Sequence, residues 1–390
     1  MKRMFLFLSL TLAFLFQSTT VFAKSNTKNE AESNSPFGEI DAKSVVLMEA
    51  ESGEVIFSTN EKEALAPASV TKIMTLLLAA EGLDTGSYLL TDKVKISSYA
   101  ASMGGSQVFL EEGEEITVEE LIKCAVIASA NDAAVALAEL VAGSEEAFVG
   151  KMNTRAKELG MESTSFENTT GLDDTTENHV TSALDIAIMS RELIKHEVIL
   201  KYSSLWQDTI RNGEFTLTNT NRLVRFYDGC NGLKTGSTDK AGYCISATAK
   251  RGDMQLIAVI MGASTRDSRN ETARKMLDYG FATYSLYKQN ENAVENVPIK
   301  FGVKDFCTLY EDEFKCLVKK SELSKIEKIY SIPNAVNAEI KAGEPLGSVE
   351  YMLNGEKIGE AKIYSKESVE KIGFLSLWRR VIGGIFISQK

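Results

Sequence analysis

Histidine is almost missing. His179 and His196 are the only two in 390 residues, and no Cys/His spacing of the zinc-binding kind occurs, so the usual material for a metal centre or a Ser-His-Asp triad is lacking. Cysteine is scarce too, and its five positions, 124, 230, 244, 307 and 316, are odd in number, which excludes complete internal pairing. Cys124 and Cys244 lie in apolar runs and read as buried thiols. Cys307 and Cys316 flank TLYEDEFK, which reads as a hairpin that would allow a local disulfide without implying one. Positive charge is the third shortage: 43 Lys and Arg against 54 Asp and Glu give a formal net charge of −11, which argues against nucleic acid as a partner.

Long apolar runs are also few. The run from Met4 to Phe16 follows Lys2 and Arg3 and precedes a polar stretch ending in Val21, Phe22 and Ala23. It is too short for a comfortable membrane span, and the pattern predicts a secretory signal over 1–23 with a mature chain starting near Lys24. Residues 24–36, polar and without periodicity, read as a linker. The far end, EKIGFLSLWRRVIGGIFISQK, sets Phe374, Leu375, Trp378 and Phe386 beside Arg379 and Arg380. It is too short and too charged to span a bilayer plainly. A basic amphipathic helix over 367–390 that lies in a membrane interface fits it, and so does a helix docked on its own protein.

Between these ends the chain has the length and composition of an ordinary globular protein with two cores. AKSVVLMEAESGEVIFSTN reads as a hairpin turning at Ala50 to Gly53. Helices follow: one opened by Ser69, one from Thr117 with a cap and early glutamates, one ending at Gly143, and one terminated by Gly160. Past residue 230 the pattern changes to period two with β-branched residues, and GYCISATAKRGDMQLIAVIMGA predicts a hairpin turning at Arg251, Gly252 and Asp253. SRNETARKMLDYGFATY returns as a helix. Strands, many helices, strands, helix is the order of a mixed α/β domain, here 37–288, whose ends share one antiparallel sheet. Short alternating segments over 293–365 predict a small all-β domain.

APASVTKIMT places Ser69 three residues before Lys72. This spacing is also what a capped helix start produces, but on a helix it puts hydroxyl and amine on one face, the geometry by which a lysine base activates a serine. SAND offers Ser129 and Asn131 at a break between helices. Residues two apart diverge on a helix, so both face one cleft only if the segment is a turn, and capping of the next helix explains them equally well. In GLKTGST, a strand would point Lys234 and Gly236 to one side, where the ammonium meets an anion and the glycine admits a substrate backbone. The backbone N–H of Ser237 would then complete an oxyanion hole with that of Ser69.

Ser-x-x-Lys, Ser-x-Asn and Lys-Thr-Gly, about sixty and then about a hundred residues apart, form together the triplet of penicillin-binding proteins and class A β-lactamases. The sequence resembles the low-molecular-weight penicillin-binding proteins, serine-type D-alanyl-D-alanine carboxypeptidases of peptidase family S11, in PASVTKIMT, SANDAAVALAE, FVGKMNTRAKELGMESTSFENTTGL and GLKTGSTDKAGYCISATAKR. The resemblance implies a β-lactamase/transpeptidase-like domain followed by a β-sandwich-like one, with no metal or cofactor. It implies Ser69 as nucleophile, Lys72 as base and Ser129 as proton relay. Asn131 would hold a peptidoglycan stem peptide, Lys234 and Thr235 would bind its terminal carboxylate beside Gly236 and Ser237, and β-lactam antibiotics would acylate Ser69. Some relatives carry histidine where Ser237 stands, so turnover and substrate preference are open to shift. It also implies an exported enzyme at the outer face of the cell membrane. A β-lactam-hydrolysing enzyme is the alternative, but its Glu-x-x-Leu-Asn is missing between 150 and 200. A non-catalytic penicillin-sensing or wall-binding module is a third reading, which the intact triplet disfavours.

Overall fold

The computed structural model describes residues 35–174 and 176–379. The expected signal over 1–23, most of the linker and the end of the tail from 380 lie outside the described residues. The chain divides into a leading unit, Met1–Glu39, and a second from Ile40 to Lys390. Of the first, the described part is a turn in which Gly38 N donates to Ser35 O at 3.2 Å.

The second unit opens with the expected hairpin of β1 (Ser44–Glu49) and β2 (Val55–Thr59). After a 3₁₀ turn at Ala68–Thr71 comes α1 (Lys72–Asp84), buried on nearly every side, which is why it reads as leucines and alanines without a polar face. A small ribbon of β3 (Lys93–Lys95) and β4 (Glu115–Thr117) brackets the short α2 (Ser98–Ala101). Thr117 then starts α3 (Val118–Lys123), its hydroxyl and Glu120 exchanging hydrogen bonds with each other's backbone as a capping box. α4 (Asn131–Ala142) ends at Gly143 in the left-handed region, α5 (Glu145–Glu158) follows, then α6 (Ala183–Leu193) and α7 (Glu197–Ser203). β5 (Gln207–Ile210) and β6 (Phe215–Thr218) pair with each other, and α8 (Leu223–Phe226) leads into β7 (Cys230–Thr238). β8 (Gly242–Arg251) and β9 (Met254–Ala263) form the second expected hairpin, and α9 (Arg266–Thr283) follows.

The main sheet runs β2-β1-β9-β8-β7, antiparallel throughout, so the chain's early hairpin and its late strands do share one sheet. α9 packs on β8 and β9, while α6 packs on β1 and β9. The period-two expectation fails here for a physical reason: with helices on both faces, Leu256 to Met261 are all buried, and so is the whole of β1. β7 is one of the two edge strands, and the 3₁₀ turn, α7, α8 and α1 all pack against it.

The remainder is mainly β, with a 3₁₀ turn at Lys320–Lys325. β10 (Tyr284–Gln289) precedes β11 (Asn292–Lys300), β12 (Phe306–Glu311), β13 (Phe314–Lys319) and β14 (Ile326–Ser331), with β15 (Val336–Asn337), β16 (Pro345–Leu353) and β17 (Glu356–Ser365) after them. Six strands order as β14-β16-β17-β12-β11-β15, and β10 pairs with β13 separately. TLYEDEFK is therefore not a hairpin. β12 pairs with β11 and β17 while β13 leaves for β10, where Phe314 stacks on Tyr351 at 3.8 Å. Cys307 and Cys316 stand on different sheets, and all five thiols are free and buried, as expected of Cys124 and Cys244.

Candidate active site

Ser69 lies within the 3₁₀ turn that leads into α1. The residue before that turn is Pro67 and the cap of α1 is Thr71, neither with a side-chain capping bond, so the hydroxyl of Ser69 is not used to start the helix. Ala68 holds a left-handed φ of 48°, a costly conformation for a residue with a Cβ, sustained by its surroundings. Thr71 Oγ1 donates to Ala68 O at 2.9 Å, and His179 Nε2 donates to Thr71 Oγ1 at 2.8 Å. That tautomer follows from the other ring nitrogen, which accepts the Glu167 N–H at 3.0 Å. Gly171 presses on the same turn, where any Cβ would collide with the Ala68 carbonyl.

Lys72 is completely buried, with three partners at Nζ: Ser69 Oγ at 3.0 Å, Asn131 Oδ1 at 2.5 Å and Thr170 O at 2.8 Å. The amide of Asn131 is oriented by its nitrogen, which donates to Gly104 O at 2.7 Å. Two of the three partners can therefore only accept. A neutral amine has two N–H groups and one lone pair, and the one partner able to donate to that lone pair is the Ser69 hydroxyl. Burial holds the Lys72 ammonium well below its ordinary pKa, the charge of Lys234 adds to this, and Asp132 opposes it.

The break between helices is built as a turn. After α3 the chain widens into one π turn, Cys124–Ala128, and Ser129 takes φ 62° and ψ 29° before Asn131 opens α4. Ser129 and Asn131 thus both face the cleft. The buried Asp132 carboxylate accepts from Val108 N at 3.0 Å and Leu110 N at 3.1 Å, while Asn131 N donates to Ser106 O at 2.7 Å. These bonds hold the 104–110 segment as a wall of the site.

On β7, Lys234 Nζ is buried and donates to Ser129 Oγ at 2.7 Å and Thr235 O at 3.1 Å. Its pKa is pulled down to about 7 by burial and by the charge of Arg269. Arg269 is itself buried, on α9, and donates to Cys244 O at 3.3 Å. Cys244 is the register partner of Gly236, so this guanidinium adds positive field behind Lys-Thr-Gly. Thr235 Oγ1 donates to Thr220 Oγ1 at 2.8 Å. A Cβ on Gly236 would stand 2.8 Å from Ser69 N and 2.9 Å from Pro67 O, so only glycine lets the strand lie this close to the turn. Ser237 is exposed beyond it.

Ser69, Lys72, Ser129, Asn131, Lys234 and Gly236 are thus gathered around one cleft from three distant segments. The profile of the D-alanyl-D-alanine carboxypeptidase family, peptidase S11, matches residues 27–265. The chain belongs to that family. Its second part, 281–371, matches the C-terminal domain of penicillin-binding protein 5. D-alanyl-D-alanine carboxypeptidase DacF of Bacillus subtilis (strain 168) is 45% identical over 98% of both chains. Among solved structures, penicillin-binding protein 5 from Haemophilus influenzae is similar with a TM-score of 0.76 and 30% identity, covering 87% of this chain and 100% of that one. Penicillin-Binding Protein D2 from Listeria monocytogenes in the ampicillin-bound form reaches 0.57 at 30% identity, over 62% and 98%. As a family S11 member the protein is a serine-type D-alanyl-D-alanine carboxypeptidase, in place of the β-lactam-hydrolysing and non-catalytic readings.

The sequence did not single out Thr170, Gly171, Asp132, His179 or Arg269. Thr170 acts through a backbone carbonyl, which leaves no side-chain signature. Gly171 was detectable in principle, as a glycine in a polar stretch whose φ is 81°.

Proposed function

We propose that Ser69 Oγ attacks the carbonyl between the last two D-alanines of a peptidoglycan stem pentapeptide while Lys72 Nζ takes its proton. The oxyanion rests on the N–H groups of Ser69 and Ser237. Lys234, Thr235 and the positive field of Arg269 hold the terminal carboxylate, and Asn131 holds the peptide by hydrogen bonding. As the C–N bond breaks, the proton that Lys72 took passes through Ser129 to the leaving nitrogen, D-alanine departs, and the acyl group stays on Ser69. Water then attacks the acyl carbon, giving its proton to Lys72, which returns it to Ser69 Oγ as the shortened peptide leaves. The observation that carries this reading is the set of partners at Lys72 Nζ, two acceptors and one hydroxyl. D-Alanine release from a pentapeptide ending in D-Ala-D-Ala, compared between wild type and Ser69→Ala, tests it; equal release by both sinks it.

β-Lactam antibiotics acylate the same serine, a reading supported by the ampicillin-bound Listeria relative. Without a Glu-x-x-Leu-Asn segment the adduct is long-lived, so intact mass after penicillin should keep the added mass on wild type and gain none on Ser69→Ala.

The substrate places this work outside the cytoplasm. Export by the 1–23 signal, a catalytic domain over 37–288, a separate β-domain over 293–365 and an interfacial anchor over 367–390 complete the reading. Among the described residues no helix is long and apolar enough to cross a membrane, and 374–379 form a short helical turn with Phe374, Leu375 and Trp378 exposed.

A further inference from the structure

The loop between β11 and β12, together with the first residue of β12, exposes Phe301, Val303 and Phe306 by 57%, 48% and 61%. Three large apolar side chains exposed within six residues form an apolar patch on this edge. Their position gives them an occupant. Ile372 N donates to Phe301 O at 2.7 Å, Val303 N donates to Glu370 O at 3.0 Å, and Gly302 forms an antiparallel bridge with Lys371. The loop is thereby fastened to the segment that enters the tail, directly before the exposed Phe374, Leu375 and Trp378. Segments 300–306 and 366–379 carry Lys300, Lys304, Lys366, Lys371 and Arg379 against Asp305, Glu367 and Glu370. Lys304 pairs with Glu367 and Lys366 with Glu291, and with Glu291 counted five cations still face four anions. This edge is therefore net positive on a chain whose formal charge is −11. Beyond it the sequence continues with Arg380 and VIGGIFI, apolar and cationic in the same way.

We propose that the 301–306 loop is a second membrane-contact element, entering the interface of an anionic phospholipid bilayer beside the tail. Aromatic rings at headgroup depth with lysines around them are the composition such an interface selects. The proposal rests on the tail being an interfacial anchor, as read above, and adds to it a rigid foot on the β-domain. A loop and a helix that insert together define a plane, whereas a helix alone leaves the protein free to swing.

The test is flotation of the mature full-length protein with vesicles of about equal phosphatidylglycerol and phosphatidylethanolamine. The loop variant is Phe301→Asn with Val303→Ser and Phe306→Ser, asparagine being chosen because residue 301 has a φ of 61°. It should bind about tenfold more weakly or worse, with D-alanine release from a soluble pentapeptide unchanged. The tail variant Phe374→Ser with Leu375→Ser and Trp378→Ser reports on the anchor by itself. A loop variant that binds like wild type while the tail variant does not overturns the proposal and leaves the anchor standing. A tail variant that binds like wild type overturns the anchor. Insertion is read directly by Phe306→Trp in a Trp378→Phe background: brominated lipid should quench the added tryptophan, and no added quenching overturns the proposal even if the triple variant fails to fold. Lipid-free dimers that the loop variant abolishes would assign these side chains to a second copy and also overturn it.

Discussion

Asn131 Oδ1 lies 2.5 Å from Lys72 Nζ, held there by the bond from its own amide nitrogen to Gly104 O. It takes up one N–H of the amine without adding charge, so the lone pair stays on the Ser69 side and the pKa stays low. Asn131→Asp keeps the shape and adds an anion, which favours the protonated lysine and raises its pKa. The acid limb of the kcat/KM profile should move to higher pH, with a loss of about 10² or more at neutral pH. An unmoved acid limb would separate Lys72 from the ionisation that controls acylation.

On the proposed reaction, Lys234 governs the other side of the profile. Its pKa in the free enzyme is about 7, below the ordinary lysine value because burial penalises the charge, and an incoming carboxylate restores it. Substrate therefore binds best where Lys234 is still protonated, and KM should rise with pH above about 7, by about tenfold or more once the charge is lost. Lys234→Arg keeps its charge throughout this range. Its KM is expected to be flat with pH whatever its absolute value, and a parallel rise in both proteins would count against the assignment.

Gly236 tests how closely β7 and the Ser69 turn must approach. Gly236→Ala puts a methyl carbon 2.8 Å from Ser69 N, inside any real contact distance to backbone, and the turn cannot yield because Gly171 and His179 brace it from behind. Acylation by penicillin should slow by about 10² or more as one oxyanion donor is displaced, while the melting temperature changes less than for a core cavity. Full-rate acylation would show that the hole lies elsewhere.

The three motifs and the mixed α/β fold were legible because their signals are local: Ser69 and Lys72 are three apart, Ser129 and Asn131 two apart, and Lys234 and Gly236 alternate on one strand. Even so, only the order of the motifs made them persuasive, since each also suits a cap or a strand end. What stayed hidden depends on distant partners. The Thr170 carbonyl reaches Lys72 from 98 residues away. Glu311 to Phe314 has the polar character of a hairpin turn, but whether two strands pair with each other or with outside strands is decided by the rest of the sheet, and β12 and β13 part company. Burial of β9 on both faces is set by α6 and α9, which no alternation within the strand can report.

His179 shows how one of the two scarce histidines serves the site without touching substrate. Its ring carries a relay from Glu167 N through Thr71 Oγ1 to Ala68 O, so the residue beside Ser69 is held by a neutral imidazole. Burial lowers its pKa to about 4. The unfolded chain, with an ordinary histidine, binds the proton first as pH falls, so stability declines between about pH 6.5 and 4, by about 3 kcal/mol in total. Protonation would also turn the ring nitrogen that accepts Glu167 N–H into a donor, so the relay itself opposes the charge. His179→Gln cannot titrate and should flatten this part of the stability curve, measured by denaturant melts from pH 4 to 7. The same variant should lower kcat with little change in KM, because it loosens the Ser69 turn and leaves the carboxylate site intact. An unchanged slope together with an unchanged kcat would remove His179 from both roles.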